Sequence, residues 1–150
     1  MPDFYTLQDV LSFAIRLEQA SQEFYRHLSQ QAHNTSVAEF LITLVAEEQL
    51  HETQLQRLLN ERGAVLGKSI STEEVDRYVQ AMDVPESLDY KNAVKLAMDK
   101  EKAAQMLYSV LAGVIDDKTL REMFILLAAQ EKAHKEFFEK EYRRICVSEN

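Results

Sequence analysis

The stretch LVAEEQLHETQLQR, residues 44–57, decides the fold. Leu44, Glu48, His51 and Leu55 recur at spacings of four, three and four, which places them on one stripe of an α-helix. The stripe is apolar above and below, yet it carries a carboxylate and an imidazole at its middle. The arrangement returns 83 residues later in LAAQEKAHKEFFEK, residues 127–140, where Leu127, Glu131, His134 and Phe138 take the same places. A single Glu-x-x-His in a Glu-rich helix is ordinary and reads as an exposed pair. Two copies on apolar stripes are not ordinary.

Working outward, the same shift aligns residues 14–58 with 97–141, with 12 identities in 45 positions. Ala14, Glu18, Ala20, Gln22, Tyr25 and Leu28 meet Ala97, Glu101, Ala103, Gln105, Tyr108 and Leu111. Glu39, Ile42, Leu44, Ala46, Glu48 and His51 meet Glu122, Ile125, Leu127, Ala129, Glu131 and His134. Helical composition accounts for matching Ala and Leu. It does not account for matching Glu, Tyr and His on the stripe, so the chain reads as an internal repeat.

Four long helices are predicted, roughly over 7–32, 37–62, 90–115 and 119–143. Their seams read Leu7, Leu11, Ala14, Glu18, Ser21, Tyr25, Leu28; then Val37, Leu41, Leu44, Glu48, His51, Leu55, Leu58. The third and fourth read Val94, Ala97, Glu101, Ala104, Tyr108, Leu111, Ile115; then Leu120, Phe124, Leu127, Glu131, His134, Phe138. Thr6 with Asp9, Ser36 with Glu39 and Thr119 with Glu122 have capping spacing. The Asn34-Thr35-Ser36 glycosylation match therefore reads as a helix entry. Short loops at 33–36 and 116–118 imply two antiparallel helical hairpins. The connector, roughly 63–89, carries Gly63, Gly67 and Pro85 and a short helix after Ser71, with Glu74 completing a capping box. A connector this long can cross the bundle, so the expected fold is all-α: one domain over 1–150, a ferritin-like antiparallel four-helix bundle of two hairpins.

Composition agrees. Among 150 residues there are 3 Gly and 2 Pro, and the abundant Ala, Leu, Glu, Gln and Lys favour helix. A formal net charge of −8 argues against a nucleic-acid partner, because phosphate binding needs clustered Lys and Arg. The single cysteine, Cys146, excludes an intramolecular disulfide and a cysteine-cage metal site, and reads as inert. The start lacks a basic region before an apolar one, and no apolar run is long enough to span a bilayer. A cytoplasmic location and no membrane partner are expected.

Carboxylates in a bundle core conflict with it, since burial disfavours their charged form and they repel one another. Two divalent cations among four glutamates remove the conflict, and two neutral histidines complete the coordination. A glutamate from each of two helices and a Glu-x-x-His from each of the others is the known donor pattern of di-iron and di-manganese carboxylate bundles. The candidate ligands are Glu18, Glu48, His51, Glu101, Glu131 and His134. Their mixed carboxylate and imidazole character suits iron, with manganese as the alternative, better than structural zinc. Tyr25 and Tyr108, seven residues after Glu18 and Glu101, are candidates to hydrogen-bond the ligand carboxylates, against their being core tyrosines satisfied elsewhere. Glu23, Glu47 and Glu52 read as surface charges, His27 and His33 as solvated, and Met98, Met106 and Met123 as packing.

The segments AIRLEQASQEFY, EEQLHE, AMDKEKAAQMLY and AQEKAHKE resemble the rubrerythrin branch of the ferritin-like superfamily, over about 10–142. The resemblance implies a non-haem di-iron centre. Glu48 and Glu131 would bridge two iron ions, cycling between Fe2+ and Fe3+. Glu18 and Glu101 would be terminal ligands, and His51 and His134 would each bind one metal. It also implies a homodimer. Two departures stand out. Peroxidase-type rubrerythrins carry an extra ligand glutamate one turn after the third-helix glutamate, where this chain has Ala104, with Ser21 as its repeat counterpart. The sequence also has no paired Cys-x-x-Cys of a rubredoxin domain.

The leading expectation is a di-iron oxidoreductase, of peroxidase or ferroxidase type, that reacts with hydrogen peroxide or dioxygen and takes electrons from a separate donor protein. The alternatives are iron ferroxidation, storage or delivery, and a metal-free helical interaction module with a buried polar cluster.

Overall fold

The computed structural model describes residues 4–62, 69–71, 73, 75–76 and 88–148. It contains a short strand β1 (Phe4–Thr6), helices α1 (Leu7–Gln31) and α2 (Thr35–Arg62), a second strand β2 (Ser69–Ser71), and helices α3 (Tyr90–Val114) and α4 (Lys118–Ser148). The chain forms two compact units, residues 1–79 and 80–150. Each contains one helical hairpin.

In the first unit α1 begins with a complete capping box. Thr6 Oγ1 accepts from the Asp9 backbone N–H at 3.1 Å, and the Thr6 N–H donates to the Asp9 carboxylate at 3.2 Å. One stripe of α1 is buried: Leu7, Leu11, Ala14, Glu18, Ser21, Tyr25 and Leu28. It is the stripe that the sequence predicts, with Val10, Ile15 and Leu17 widening it. On α2 Leu41, Leu44, Glu48, His51, Leu55 and Leu58 are buried, and only Val37 of the predicted seam is half-exposed.

The entry to α2 corrects the predicted cap. The residue that closes it is Asn34, whose side chain accepts from the Val37 N–H at 3.1 Å. Asn is at least as strong a cap as Ser and stands two residues before Ser36, so the helix starts earlier. The two-stranded ribbon is unanticipated. Phe4 pairs with Ser71, Tyr5 with Ile70 and Thr6 with Ser69, antiparallel. It ties the connector back to the start of α1, buries Ile70, and sets the Tyr5 ring edge-on to Phe13 at 5.3 Å. Glu73, Val75 and Asp76 are helical, in keeping with the helix expected after Ser71. Glu74, Gly63, Gly67 and Pro85 lie outside the described residues.

The second unit repeats the first. Helix α3 covers the positions of α1 shifted by 83, and α4 starts at the counterpart of the first residue of α2. Asp89 caps α3 by accepting from the Asn92 N–H at 2.9 Å. Asp117, not Thr119, caps α4 by accepting from the Leu120 N–H at 3.1 Å, as Asn34 does for α2. All predicted seam residues of α3 and α4 are buried. Tyr108 stacks on Phe124 across the hairpin, with ring centroids 6.1 Å apart. Helix α4 runs to Ser148, past the predicted end.

Outward faces differ from expectation at a few apolar residues. Met106, read from sequence as packing, is 49% exposed, and Ile42, Leu50, Ile125 and Leu126 are also exposed. Among the described residues no helix is long and apolar enough to cross a membrane.

Candidate metal centre

Each hairpin gathers three potential ligands in its interior. In the first, α1 supplies Glu18 and α2 supplies Glu48 and His51; one donor atom from each lies within 4.8 Å of the others. His51 Nδ1 is 3.6 Å from Glu18 Oε1 and 3.8 Å from Glu48 Oε2. In the second, Glu101 from α3 meets Glu131 and His134 from α4 with the same mutual spacing, and His134 Nδ1 is 3.6 Å from Glu101 Oε1. All six side chains are 4% exposed or less.

This spacing fits a metal. The 3.6 Å contacts are longer than a hydrogen bond. Two donors that each sit about 2.1 Å from a shared ion are roughly 3 to 3.5 Å apart. Small rotations of the glutamate side chains close the difference. Oxygen and nitrogen donors in a thiolate-free set match iron or manganese.

Tyr25 and Tyr108 are fully buried, seven residues along their helices from Glu18 and Glu101. Ser21 and Ala104, one turn beyond the same glutamates, are buried as well. His27 and His33 are exposed, as are Glu23 and Glu47. His27 lies 4.0 Å from Glu23, one turn apart on the solvent face of α1.

Three features escaped the sequence reading. Glu52 is not a simple surface charge: Gln19 Nε2 donates to its Oε2 and Gln22 Nε2 to its Oε1, both at 2.8 Å. Lys100, next to Glu101, is buried; its repeat counterpart, Leu17, lies off the predicted seam, so the pattern offered no cue. Near the end of α4, Glu141 is buried and holds a triad. Tyr90 Oη donates to Glu141 Oε2 at 2.5 Å, while Arg144 donates to Oε1 at 2.6 Å and to Oε2 at 2.9 Å. The Arg144 guanidinium is the main reason the Glu141 carboxyl titrates below the usual carboxylate range. Burial, and then the bond to Glu141, raise the Tyr90 phenol above its usual value. The cue was the repeat itself, since Tyr90 and Glu141 replace Leu7 and Leu58.

Comparison with known proteins completes the description. The rubrerythrin family profile matches residues 9–142. A Thermotoga maritima protein assigned as a ferritin-like diiron-carboxylate protein superposes with a TM-score of 0.77 at 21% identity, over 95% of this chain and 98% of that one. A hypothetical protein of Pyrococcus furiosus superposes with a TM-score of 0.72 at 21% identity, over 93% of this chain and 89% of that one. No curated protein matches the sequence. The structural likeness fixes the fold as a ferritin-like, all-α four-helix bundle, as the sequence predicts.

Proposed function

The chain belongs to the rubrerythrin family, and from that premise we propose that it is a non-haem di-iron oxidoreductase acting on hydrogen peroxide or dioxygen. The observation that carries this reading is the pair of buried Glu/Glu/His sets, one per hairpin, with matching Glu–His distances of 3.6 Å. We take the two sets to close on one two-metal centre. Glu48 and Glu131 would be shared by both metals, Glu18 and Glu101 would be terminal ligands, and His51 and His134 would each hold one metal. Iron held by these residues would supply the redox chemistry that reduces the oxidant.

The chain's own residues do the rest. Four carboxylates offset the charge of two divalent ions, so the buried site is near neutral. Leu44, Leu55, Leu127 and Phe138, one turn either side of the Glu-x-x-His pairs, are buried and limit water access. Tyr25 and Tyr108 donate hydrogen bonds to ligand carboxylates and fix their orientation. Neither Ser21 nor Ala104 can ligate as the extra glutamate of peroxidase-type rubrerythrins does, so the site has six ligands. Electrons come from a separate donor protein. The protein is cytoplasmic and acts as a homodimer, for which the exposed Ile42, Leu50, Ile125 and Leu126 offer apolar contact surface.

Anaerobic loading with Fe(II), followed by peroxide or dioxygen, tests the reading. Two irons per chain that oxidise faster than free Fe(II) support it. Substoichiometric iron, or oxidation no faster than in solution, contradicts it.

A further inference from the structure

The six ligands obey the internal repeat, but their surroundings do not. We infer that the metal position of the first hairpin is the more firmly held and fills first, and that Glu52 is the positioning residue responsible. This rests on the two-metal reading above.

Glu52 directly follows His51, and Gln19 directly follows Glu18. Both oxygens of the Glu52 carboxylate are engaged, one by Gln19 and one by Gln22, at 2.8 Å each. Hydrogen bonds to an ionised carboxylate are stronger than neutral ones. The clamp therefore ties α1 to α2 one residue away from both ends of the Glu18–His51 contact. Ligands held in place before the metal arrives lose less conformational freedom on binding it.

The second hairpin cannot repeat the device. The counterparts of Gln19, Gln22 and Glu52 are Lys102, Gln105 and Lys135. An ammonium group accepts no hydrogen bond, so neither lysine can take the part of Glu52. Lys135 instead pairs along its own helix with Glu139 at 3.7 Å. The His134–Glu101 distance equals that of His51 and Glu18, so the two hairpins differ in restraint rather than in ligand spacing. Flanking charge acts in the same direction. Glu47 and Glu52 adjoin the first ligand set, whereas Lys100, Lys102, Lys132 and Lys135 adjoin the second. Negative neighbours favour an incoming cation and positive ones oppose it.

The test is an anaerobic titration of the metal-free chain with Co(II), followed by calorimetry and by the visible absorption of the bound ion. Two separated steps are expected. His51→Ala removes the tighter step and His134→Ala the weaker. The double variant Gln19→Ala/Gln22→Ala, which keeps all charges, weakens the tighter step about tenfold, the usual scale for losing a partner of a ligand shell, and leaves the weaker step alone. Glu52→Gln, which keeps one acceptor oxygen, falls between wild type and Glu52→Ala. Two equal steps, a tighter step lost with His134→Ala, or a double variant that binds like wild type overturns the inference. Amide hydrogen exchange on the metal-free chain provides a readout without metal. Faster exchange around residues 48–52 in the double variant is expected, and unchanged rates overturn the clamp. Failure to bind any Co(II) overturns the two-metal reading itself, and the exchange measurement then still decides whether the clamp exists.

Discussion

His51 Nδ1 lies 3.6 Å from Glu18 Oε1, from one helix to the next in the first hairpin, and both side chains are buried. The pair has a replica in His134 and Glu101 at the same distance. If each pair serves one metal, each histidine is needed for one ion. His51→Ala and His134→Ala should each lose one of the two metal equivalents while the helices stay intact. Metal analysis alongside circular dichroism checks this.

Tyr25 and Tyr108 occupy equivalent, fully buried positions on α1 and α3. Tyr25→Phe and Tyr108→Phe keep the ring and remove only the hydroxyl. Each should retain two metals but slow iron oxidation about tenfold, the scale of losing a hydrogen bond to a ligand. Stopped-flow oxidation of the Fe(II)-loaded protein measures it.

The Tyr90–Glu141–Arg144 triad makes stability depend on pH at both ends. Glu141 titrates below its ordinary value of 4.5, chiefly through Arg144. Its contribution is therefore present above about pH 4.5 and lost as pH falls through the folded-state value. Tyr90 is raised above 10 by burial and by its bond to Glu141; its contribution is full below pH 10 and lost as pH rises through the folded-state value. Glu141→Leu alone leaves the Tyr90 hydroxyl without its acceptor and should destabilise by about 1–3 kcal/mol. Tyr90→Leu/Glu141→Leu places at these positions the leucines, Leu7 and Leu58, that are buried at their counterparts in the first hairpin, and should return to near wild-type stability, because buried ion pairs are often replaceable by hydrophobic residues. Urea unfolding at pH 3, 7 and 11 checks each part.

Asn34 and Asp117 start the second helix of their hairpins by equivalent 3.1 Å bonds. Asn34→Ala and Asp117→Ala should each destabilise by about 1 kcal/mol. Ser36→Ala and Thr119→Ala, at the caps expected from sequence, should be close to neutral. Thermal melts of the four variants distinguish the two assignments.

The parts of this fold that were legible from sequence are those set by periodicity. The seams of α1 to α4 follow from a helical repeat of apolar residues, and the polar residues at their centres stand out against it. Cap positions were harder to place, because Asn34 and Ser36, or Asp117 and Thr119, are both good caps within one turn. The β1–β2 ribbon was out of reach, since three-residue strands are too short to show alternation. Glu52 reads as a surface charge, and Glu141 goes unmarked, for one reason. A lone glutamate looks like a surface charge until its partners are known, and Tyr90, Gln19 and Gln22 become partners only once helices have paired, leaving Arg144, three residues along the same helix, as an ordinary surface pair.

The most direct measurement is a crystal structure of the iron-loaded protein with anomalous scattering at the iron edge. The account predicts two anomalous peaks per chain, one ligated by Glu18 and His51, the other by Glu101 and His134, with Glu48 and Glu131 reaching both. Ordered helices without iron peaks, or with those glutamates turned to solvent, would contradict it.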